Sequence, residues 1–201
     1  MATSIKMSSS KTYLVTGGSG FLGAELISRI PGKVRVIARN EGNLIALKEK
    51  FPHIEIIPGS IADPFVVEKA IQGVDGIFHL AAFKHVGLAE NHVKECVESN
   101  VIGTLNLLEA TLKHKPEFII GISTDKAAQV TGVYGATKLL QEKLFEEYEF
   151  NIRCLQMGMK IGYCNSTLAF YRRHPDQLIK KTSKNVRKAN RNTMVKKYKV
   201  A

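Results

Sequence analysis

Short apolar runs rich in β-branched residues alternate with amphipathic stretches along the first three quarters of the chain. The apolar runs predict strands at residues 12–16, 33–38, 54–57, 76–80, 118–122 and 152–157. The stretches between them predict helices from the turn after the first strand to about residue 30, and at 43–50, 64–72, 91–113 and 134–148. Strands and helices in this rhythm favour a doubly wound, mostly parallel α/β sheet in the order 3-2-1-4-5-6.

A glycine-rich turn, TGGSGFLG at residues 16–23, joins the first predicted strand to the first predicted helix. Gly17 would permit the tight turn, Gly20 would let backbone amides approach a pyrophosphate, and Gly23 would allow close packing of the helix on the sheet. The helix N-terminus adds partial positive charge at the phosphates. The spacing therefore predicts a Rossmann-type dinucleotide site, to which we assign Gly17, Gly20, Phe21, Leu22 and Gly23.

The second predicted strand ends without the acidic residue that would accept the ribose 2′-hydroxyl of NAD. Arg39 and Asn40 occupy that place, and the first acid after them is Glu41. Because an arginine here can pair with the 2′-phosphate of NADP, Arg39 and Asn40 join the predicted cofactor site. The sequence favours NADP over NAD.

Polar residues follow the fifth predicted strand, where the carboxyl edge of a parallel sheet forms ligand sites. Residues 123–126 (STDK) supply hydroxyls, a carboxylate and an amine. Tyr134 and Lys138 lie four residues apart and so share one face of a helix. Since a neighbouring ammonium lowers the pKa of a tyrosine, this pair suits proton removal from an alcohol that is being oxidised.

Several blocks with these residues occur in a characteristic order along residues 11–150. They are TGGSGFLG (16–23), HLAAFKHV (79–86), SNVIGTLN (99–106), STDKAA (123–128) and YGATK (134–138). In them the chain resembles the extended short-chain dehydrogenase/reductases. More narrowly, it is similar to the UDP-N-acetylglucosamine 4,6-dehydratases of the polysaccharide-biosynthesis branch.

The resemblance implies a place for each matching residue. Beyond the glycine turn, the cofactor would contact Arg39, Asn40, Ile61, Asp63, Ala81, Ala82, Lys84, Asn100, Ser123, Tyr134 and Lys138. Lys84, His85 and Thr124 would contact the substrate. His79 matches a block too, but a histidine inside an apolar strand is most simply a core residue with its hydrogen bonds satisfied.

The resemblance also implies a reaction. Tyr134 would be the base for oxidation at sugar C4, with Lys138 tuning it and binding the nicotinamide ribose. Lys126 would remove the C5 proton, and Asp125 would protonate the departing C6 hydroxyl while Thr124 binds near the C4 hydroxyl. The implied activity is a nucleotide-sugar 4,6-dehydratase of surface-polysaccharide synthesis, with tightly bound NADP and UDP-N-acetylglucosamine as substrate.

Two other functions stay open at this point. A nucleotide-sugar 4-epimerase shares the tyrosine–lysine oxidation but eliminates no water, and Asp125 and Lys126 argue against it. A non-catalytic NADP(H)-binding protein would use its basic C-terminal segment to engage a polyanion. In either enzyme the chain could pair with a second copy of itself, as the relatives do.

The sequence departs from the family in two places. The adenine-side segment reads Gly-Ser-Ile-Ala-Asp at 59–63 where relatives carry an acid after the glycine, and a lost hydrogen bond there is worth roughly 1–3 kcal/mol. After Met157 the family pattern fades, so the C-terminal substrate domain is expected to be largely absent. Loss of such remote binding groups would lower turnover as well as affinity.

Charge is concentrated in the same C-terminal segment. Residues 171–201 hold eleven Lys or Arg against one Asp, so this segment carries ten of the eleven net positive charges of the chain. We divide the chain into a flexible N-terminus (1–10), an NAD(P)-binding domain (11–158) and a divergent basic tail (159–201). The tail is either a solvated segment that touches a polyanion, with nucleic acid the less favoured ligand, or the product of a shifted reading frame.

Composition indicates a globular protein rather than a membrane or secreted one. The apolar fraction of 44% is ordinary for a globular protein, and no run is long enough to span a bilayer. The N-terminus lacks the apolar core of a secretory signal. The three cysteines have no metal-ligand spacing, so we expect reduced thiols, no metal and a cytoplasmic location.

Overall fold

The computed structural model describes residues 5–154 and 160–161, with side chains for residues 5–148. Six parallel strands form one sheet in the order β3-β2-β1-β4-β5-β6. The strands are β1 (Thr12–Thr16), β2 (Lys33–Ala38), β3 (Glu55–Pro58), β4 (Gly76–His79), β5 (Phe118–Gly121) and β6 (Lys160–Ile161). The predicted strand order is confirmed.

Helices and helical turns connect the strands. The α-helices are α1 (Phe21–Ile27), α2 (Glu41–Lys50), α3 (Pro64–Ile71), α4 (Val86–Ala89), α5 (Val93–Val97), α6 (Gly103–His114) and α7 (Val133–Cys154). A π-helical turn at Glu98–Ile102 joins α5 to α6, and a 3-10 turn at Asp125–Ala127 follows β5.

The sheet is covered on both faces because its strands are apolar on both sides. Tyr13 and Val15 of β1 belong to a core that also holds buried residues of α1 and α2. Leu14, between them, belongs to the opposite core, with buried residues of α3, α6 and α7. This alternation follows the two-residue period of a strand, and each fully buried apolar side chain contributes about 1.5–3 kcal/mol. The doubly wound α/β prediction is confirmed.

Local signals set several boundaries. Asp63 accepts a hydrogen bond from the amide of Phe65 (2.9 Å) and Pro64 takes the first helical position, so α3 begins where the Asp-Pro pair predicts. Asn40 likewise accepts from the amide of Asn43 (2.8 Å), which starts α2 two residues before the predicted position.

Two element predictions were wrong. Residues 152–154, predicted to begin the sixth strand, continue α7 instead, and β6 lies at Lys160–Ile161, past the expected domain boundary at 158. The single helix predicted at 91–113 is interrupted by the π-helical turn at Glu98–Ile102. A π-helical turn holds one residue more than an α-helical turn, and the spacing of apolar residues in the sequence does not reveal it. The rest of the predicted basic tail lies outside the described residues.

Among the described residues, no helix is both long enough and apolar enough to cross a membrane.

Candidate functional site

Three loops emerge side by side at the carboxyl edge of the sheet. The strand register pairs Thr16 with His79 and His79 with Gly121, so β1, β4 and β5 end at the same level. The glycine turn, the segment 81–85 and the segment 123–126 therefore leave the sheet next to one another. This is the edge at which doubly wound sheets bind their ligands.

The turn contains four glycines, and the three of the predicted dinucleotide motif differ in what surrounds them. Gly17 has a φ of +69°, and a Cβ there would lie 2.8 Å from the backbone of Ala81. A Cβ on Gly23 would lie 2.5 Å from the backbone of Gly18. On Gly20 it would meet only the carbonyl oxygen of Gly17, at 3.3 Å, among the described residues. The fold itself thus requires glycine at 17 and 23, whereas the open side of Gly20 leaves room for a ligand to approach the backbone.

The predicted 2′-phosphate residues lie at the end of β2. Arg39 is exposed, and its guanidinium has no ion-pair or hydrogen-bond partner among the described residues. Asn40 is also exposed, and its side-chain oxygen caps α2. Arg39 is therefore free to meet a phosphate, while the Asn40 side chain already has a structural role.

The predicted adenine-side residues also carry structural roles. The Ile61 side chain is buried in the core that contains α3 and α6, so only its backbone can meet a cofactor. The Asn106 amide donates to the carbonyls of Ile61 (3.1 Å) and Ala62 (3.0 Å), which holds this segment against α6. The Asp63 carboxylate caps α3, as described above.

A buried hydrogen-bond chain connects β1, β4 and the long helical segment through His79. The Ala81 amide donates to Thr16 Oγ1 (3.1 Å), which contacts His79 Nδ1 (2.8 Å). His79 Nε2 contacts Thr104 Oγ1 (2.9 Å), whose hydroxyl donates to the carbonyl of Asn100 (2.8 Å). Because the Thr104 proton is used on Asn100, Nε2 must carry the imidazole proton and Nδ1 must accept from Thr16.

Burial and, to a smaller extent, the nearby Lys138 ammonium lower the pKa of His79 to about 3. The imidazole is therefore neutral at physiological pH. The expectation that His79 is a satisfied core residue agrees with this environment.

Asn100 ties the loop after β4 to α7. Its side chain accepts from the Phe83 amide (2.7 Å) and donates to the Phe83 carbonyl (3.1 Å) and to Thr137 Oγ1 (3.0 Å). The Thr137 hydroxyl in turn donates to the carbonyl of Tyr134 (2.9 Å). Asn100 sits inside the π-helical turn, an irregularity that often marks functional sites.

The remaining residues of the β4 loop lie nearer the surface. Ala81 and Ala82 are half-buried, while Lys84 and His85 are exposed just before α4. Phe21, at the start of α1, is 94% exposed, and Leu22 beside it is half-buried. These side chains surround the open edge, where a bound molecule can reach them.

Lys138 is almost completely buried, with 3% of its surface exposed. Its ammonium donates to the carbonyl of Ile122 at the end of β5 (2.6 Å) and to the side-chain oxygen of Gln141. Burial lowers the pKa of Lys138 to about 8, an effect that the nearby carboxylate of Glu142 opposes. Lys138 is thus held at the carboxyl edge, one helical turn beyond the half-buried Tyr134.

The polar residues after β5 form two groups. The hydroxyl of Ser123 donates to Glu142 on α7 (2.5 Å) and so points toward the helix. Thr124 caps the 3-10 turn and donates to the Asp125 carboxylate (3.1 Å), which also accepts from the Lys126 ammonium (3.0 Å). Asp125 and Lys126 therefore form a partly exposed ion pair that faces solvent, where each can exchange protons.

Sequence reasoning missed the residues that support this site: Thr16, Thr104, Thr137, Gln141 and Glu142. Gln141 and Glu142 follow Lys138 by three and four residues, so helical periodicity alone could have placed them on its face. The threonine partners come from distant parts of the chain, and no local pattern identifies them.

Comparison with known proteins relates the site to a family. A family described as "Polysaccharide biosynthesis protein" matches residues 13–162. A UDP-N-acetylglucosamine 4,6-dehydratase (inverting) of Campylobacter jejuni is 33% identical over 146 residues, 69% of this chain and 44% of the relative. A UDP-glucose 4-epimerase of Rickettsia canadensis is 34% identical over 146 residues, with 67% and 42% covered.

One further relative carries a different name. A protein of Methanocaldococcus jannaschii, named an uncharacterized membrane protein, is 43% identical over 140 residues, 67% of this chain and 42% of the relative. The chain thus spans less than half the length of the curated relatives that it matches.

Solved structures show the same fold. Pen from Bacillus thuringiensis matches with a TM-score of 0.72 and 32% identity, covering 76% of this chain and 48% of the other. A double mutant of DesIV, a dTDP-glucose 4,6-dehydratase from Streptomyces venezuelae with NAD bound, matches with a TM-score of 0.66 and 25% identity, covering 83% and 59%.

Proposed function

Because this chain belongs to the polysaccharide biosynthesis protein family, we propose that its described part is the cofactor-binding and catalytic half of a nucleotide-sugar 4,6-dehydratase. The observation that carries the proposal is the position of Lys138. Its ammonium donates a hydrogen bond to the carbonyl of Ile122, just after β5, and it lies one helical turn after Tyr134 on α7. This position of Lys138 supports a catalytic tyrosine–lysine pair at the edge where the glycine turn opens.

The residues at this edge fit a nicotinamide dinucleotide. Gly20 leaves its side of the turn open, and Gly17 and Gly23 shape the turn around it. The guanidinium of Arg39, at the end of β2, has no partner within the described part of the chain and so supports NADP as the cofactor, since arginine binds a 2′-phosphate by charge-assisted hydrogen bonds. When bound, a nicotinamide ring would accept a hydride, that is a proton with two electrons, from a sugar carbon and later return it.

The protein's own groups would move the protons. Tyr134 takes the proton of the sugar C4 hydroxyl, and the ammonium of Lys138 favours its phenolate form and binds the nicotinamide ribose. The resulting C4 ketone acidifies the C5 proton, which Lys126 removes. Asp125 protonates the C6 hydroxyl, so water leaves and C6 is then reduced. The ion pair of Asp125 and Lys126 supports this assignment because the Lys126 ammonium can pass its proton to the Asp125 carboxylate, which leaves an amine to remove the C5 proton and a carboxylic acid to protonate the C6 hydroxyl.

The substrate proposed is UDP-N-acetylglucosamine. Its support is the relative from Campylobacter jejuni, whose name gives that substrate. The relatives named UDP-glucose 4-epimerases favour a second candidate, a 4-epimerase that uses Tyr134 and Lys138 alone. The two reactions differ in whether the C6 oxygen is lost.

The test is incubation of the purified protein with UDP-N-acetylglucosamine and NADP, followed by mass spectrometry of the products. A dehydratase yields a product lighter by one water, and Asp125→Asn should reduce its rate by about 100-fold or more. An epimerase yields an isomer of unchanged mass, and the same substitution should leave it nearly unaffected. No turnover by either route, together with no binding of reduced cofactor, would refute the proposal.

A further inference from the structure

The end of β5 contacts α7 at two places, one helical turn apart. The carbonyl of Ile122 accepts from the Lys138 ammonium, and the hydroxyl of the next residue, Ser123, donates to the Glu142 carboxylate. Glu142 is itself only 7% exposed. Two consecutive residues just after β5 thus hold a buried cation and a buried anion on the same helix face.

A buried ammonium is costly unless a counter-charge and hydrogen bonds accompany it. Within the described part of the chain, Ile122 and Gln141 supply two acceptors for Lys138, and its third N–H donor can meet a ligand. Of the described titratable groups that act on Lys138, His79 of β4 is neutral and Glu142 of α7 is the anion. Glu142 is therefore the group that compensates the buried charge.

From this geometry we infer that Glu142, anchored by Ser123, is a positioning residue that keeps the Lys138 ammonium charged and directed at the cofactor ribose. The inference rests on the proposed function for the identity of that ligand. The inference also gives Ser123 a role other than the predicted direct contact with the cofactor. Its hydroxyl donates to Glu142, so Ser123 would affect cofactor binding indirectly, through Glu142 and Lys138.

The inference is tested by titrating the protein with reduced NADP, using cofactor fluorescence, at about pH 6 and about pH 8. Glu142→Gln keeps the shape of the side chain and removes its charge. We expect binding to weaken about fivefold at about pH 8 and less than about twofold at about pH 6, because the variant Lys138 loses its proton at lower pH. Equal weakening at both pH values would indicate a merely structural role and overturn the inference.

A second readout does not need the cofactor. Lysines labelled with carbon-13 at Cε are titrated by NMR, and the Lys138 resonance is identified by its loss in Lys138→Met. Glu142→Gln should lower the pKa of Lys138, and an unchanged titration would overturn the inference. If the wild type bound no dinucleotide while this shift was seen, the proposed function would fail, and only the part of the inference in which Glu142 keeps Lys138 charged would stand.

Two further variants complete the test. Glu146→Gln, one turn along α7 and paired at the surface with Lys143, is the matched control and should change neither readout. Ser123→Ala leaves the carboxylate in place but removes its anchor, so it should give a smaller shift in the same direction. It also keeps the inference testable if Glu142→Gln does not fold.

Discussion

Gly17 and Gly20, in the turn after β1, differ in what a side chain would meet. Gly17 combines a left-handed backbone with close contact to Ala81, whereas Gly20 has neither. The same sequence motif therefore contains residues that the fold requires to be glycine and a residue, Gly20, whose proposed role is to let a ligand approach. At the residue scale, the two roles can be separated by substitution.

We predict that alanine at Gly17 lowers stability, whereas alanine at Gly20 weakens cofactor binding. Gly17→Ala should lower the free energy of unfolding by about 3 kcal/mol, because backbone strain adds to a collision with the Ala81 backbone. Gly20→Ala should leave stability within about 1 kcal/mol and weaken cofactor binding instead. Urea unfolding and fluorescence titration with reduced NADP measure the two quantities.

Gly73 provides the matched control for the Gly17 variant. Its φ of +66° is nearly the same, but a Cβ there would meet nothing within 4 Å. Gly73→Ala should therefore show the backbone strain alone, about 1 kcal/mol. Equal losses for Gly17→Ala and Gly73→Ala would mean that contact with Ala81 contributes nothing.

At the scale of elements, α7 carries most of the proposed chemistry, and its start is held by another element. Glu90, just after α4, accepts a hydrogen bond from the amide of Val133 at the first residue of α7 (2.8 Å). A carboxylate at this end of a helix satisfies a free amide and favours the helix dipole. The residue next along the helix is Tyr134, so this cap supports the proposed base.

Replacing the cap should weaken the start of α7. Glu90→Ala should lower the free energy of unfolding by about 1 kcal/mol. Glu90→Gln should lower it by less, because the side-chain carbonyl of glutamine still accepts the hydrogen bond from the Val133 amide. Glu95→Gln is the control, since Glu95 is exposed on α5 and its ion-pair partner is His92. Hydrogen exchange of the first α7 amides would locate the effect, and an unchanged exchange rate would count against the cap.

At the scale of the whole molecule, buried polar chains connect the two halves of the sheet edge. One runs from Ala81 through His79 to Asn100, and Asn100 continues it to Thr137 on α7. Such a fully satisfied network favours a single arrangement of its members. The proposed cofactor loops and the helix that carries the proposed base are therefore held in one geometry, which a neutral His79 helps to maintain.

Acid should weaken this network through His79. The folded protein holds the pKa of His79 near 3, below its usual 6.5, so the unfolded chain binds a proton first as the pH falls. His79 therefore lowers the free energy of unfolding by up to about 1.4 kcal/mol per pH unit between about 6.5 and about 3. Above about pH 6.5 it has no such effect.

Urea unfolding at about pH 6 and about pH 4 measures that slope. His79→Asn should be less stable at both values but should show a smaller decrease between them. His53→Asn, at an exposed histidine, is the control and should keep the wild-type slope. A slope that does not change in His79→Asn would show that other groups cause the acid sensitivity.

The sequence by itself predicted the first five strands and the order of the sheet, and it proposed which residues form the site. β1 and β2 lie at the predicted residues because both faces of these strands are apolar, and the glycine spacing marks the turn between strand and helix. These signals are local, so they can be read from neighbouring residues. The interrupted helix and the end of α7 were predicted wrongly because π-helical insertion and helix length depend on packing against other elements.

Only the tertiary structure decided how the site residues are held. Ser123 turns to Glu142, Ile61 turns into the core, and Lys138 is buried against β5. Each of these orientations depends on a partner from a distant part of the chain or on burial among several elements. Sequence pattern names the groups that are brought to the sheet edge, whereas packing decides which of them face a ligand and which hold the others in place.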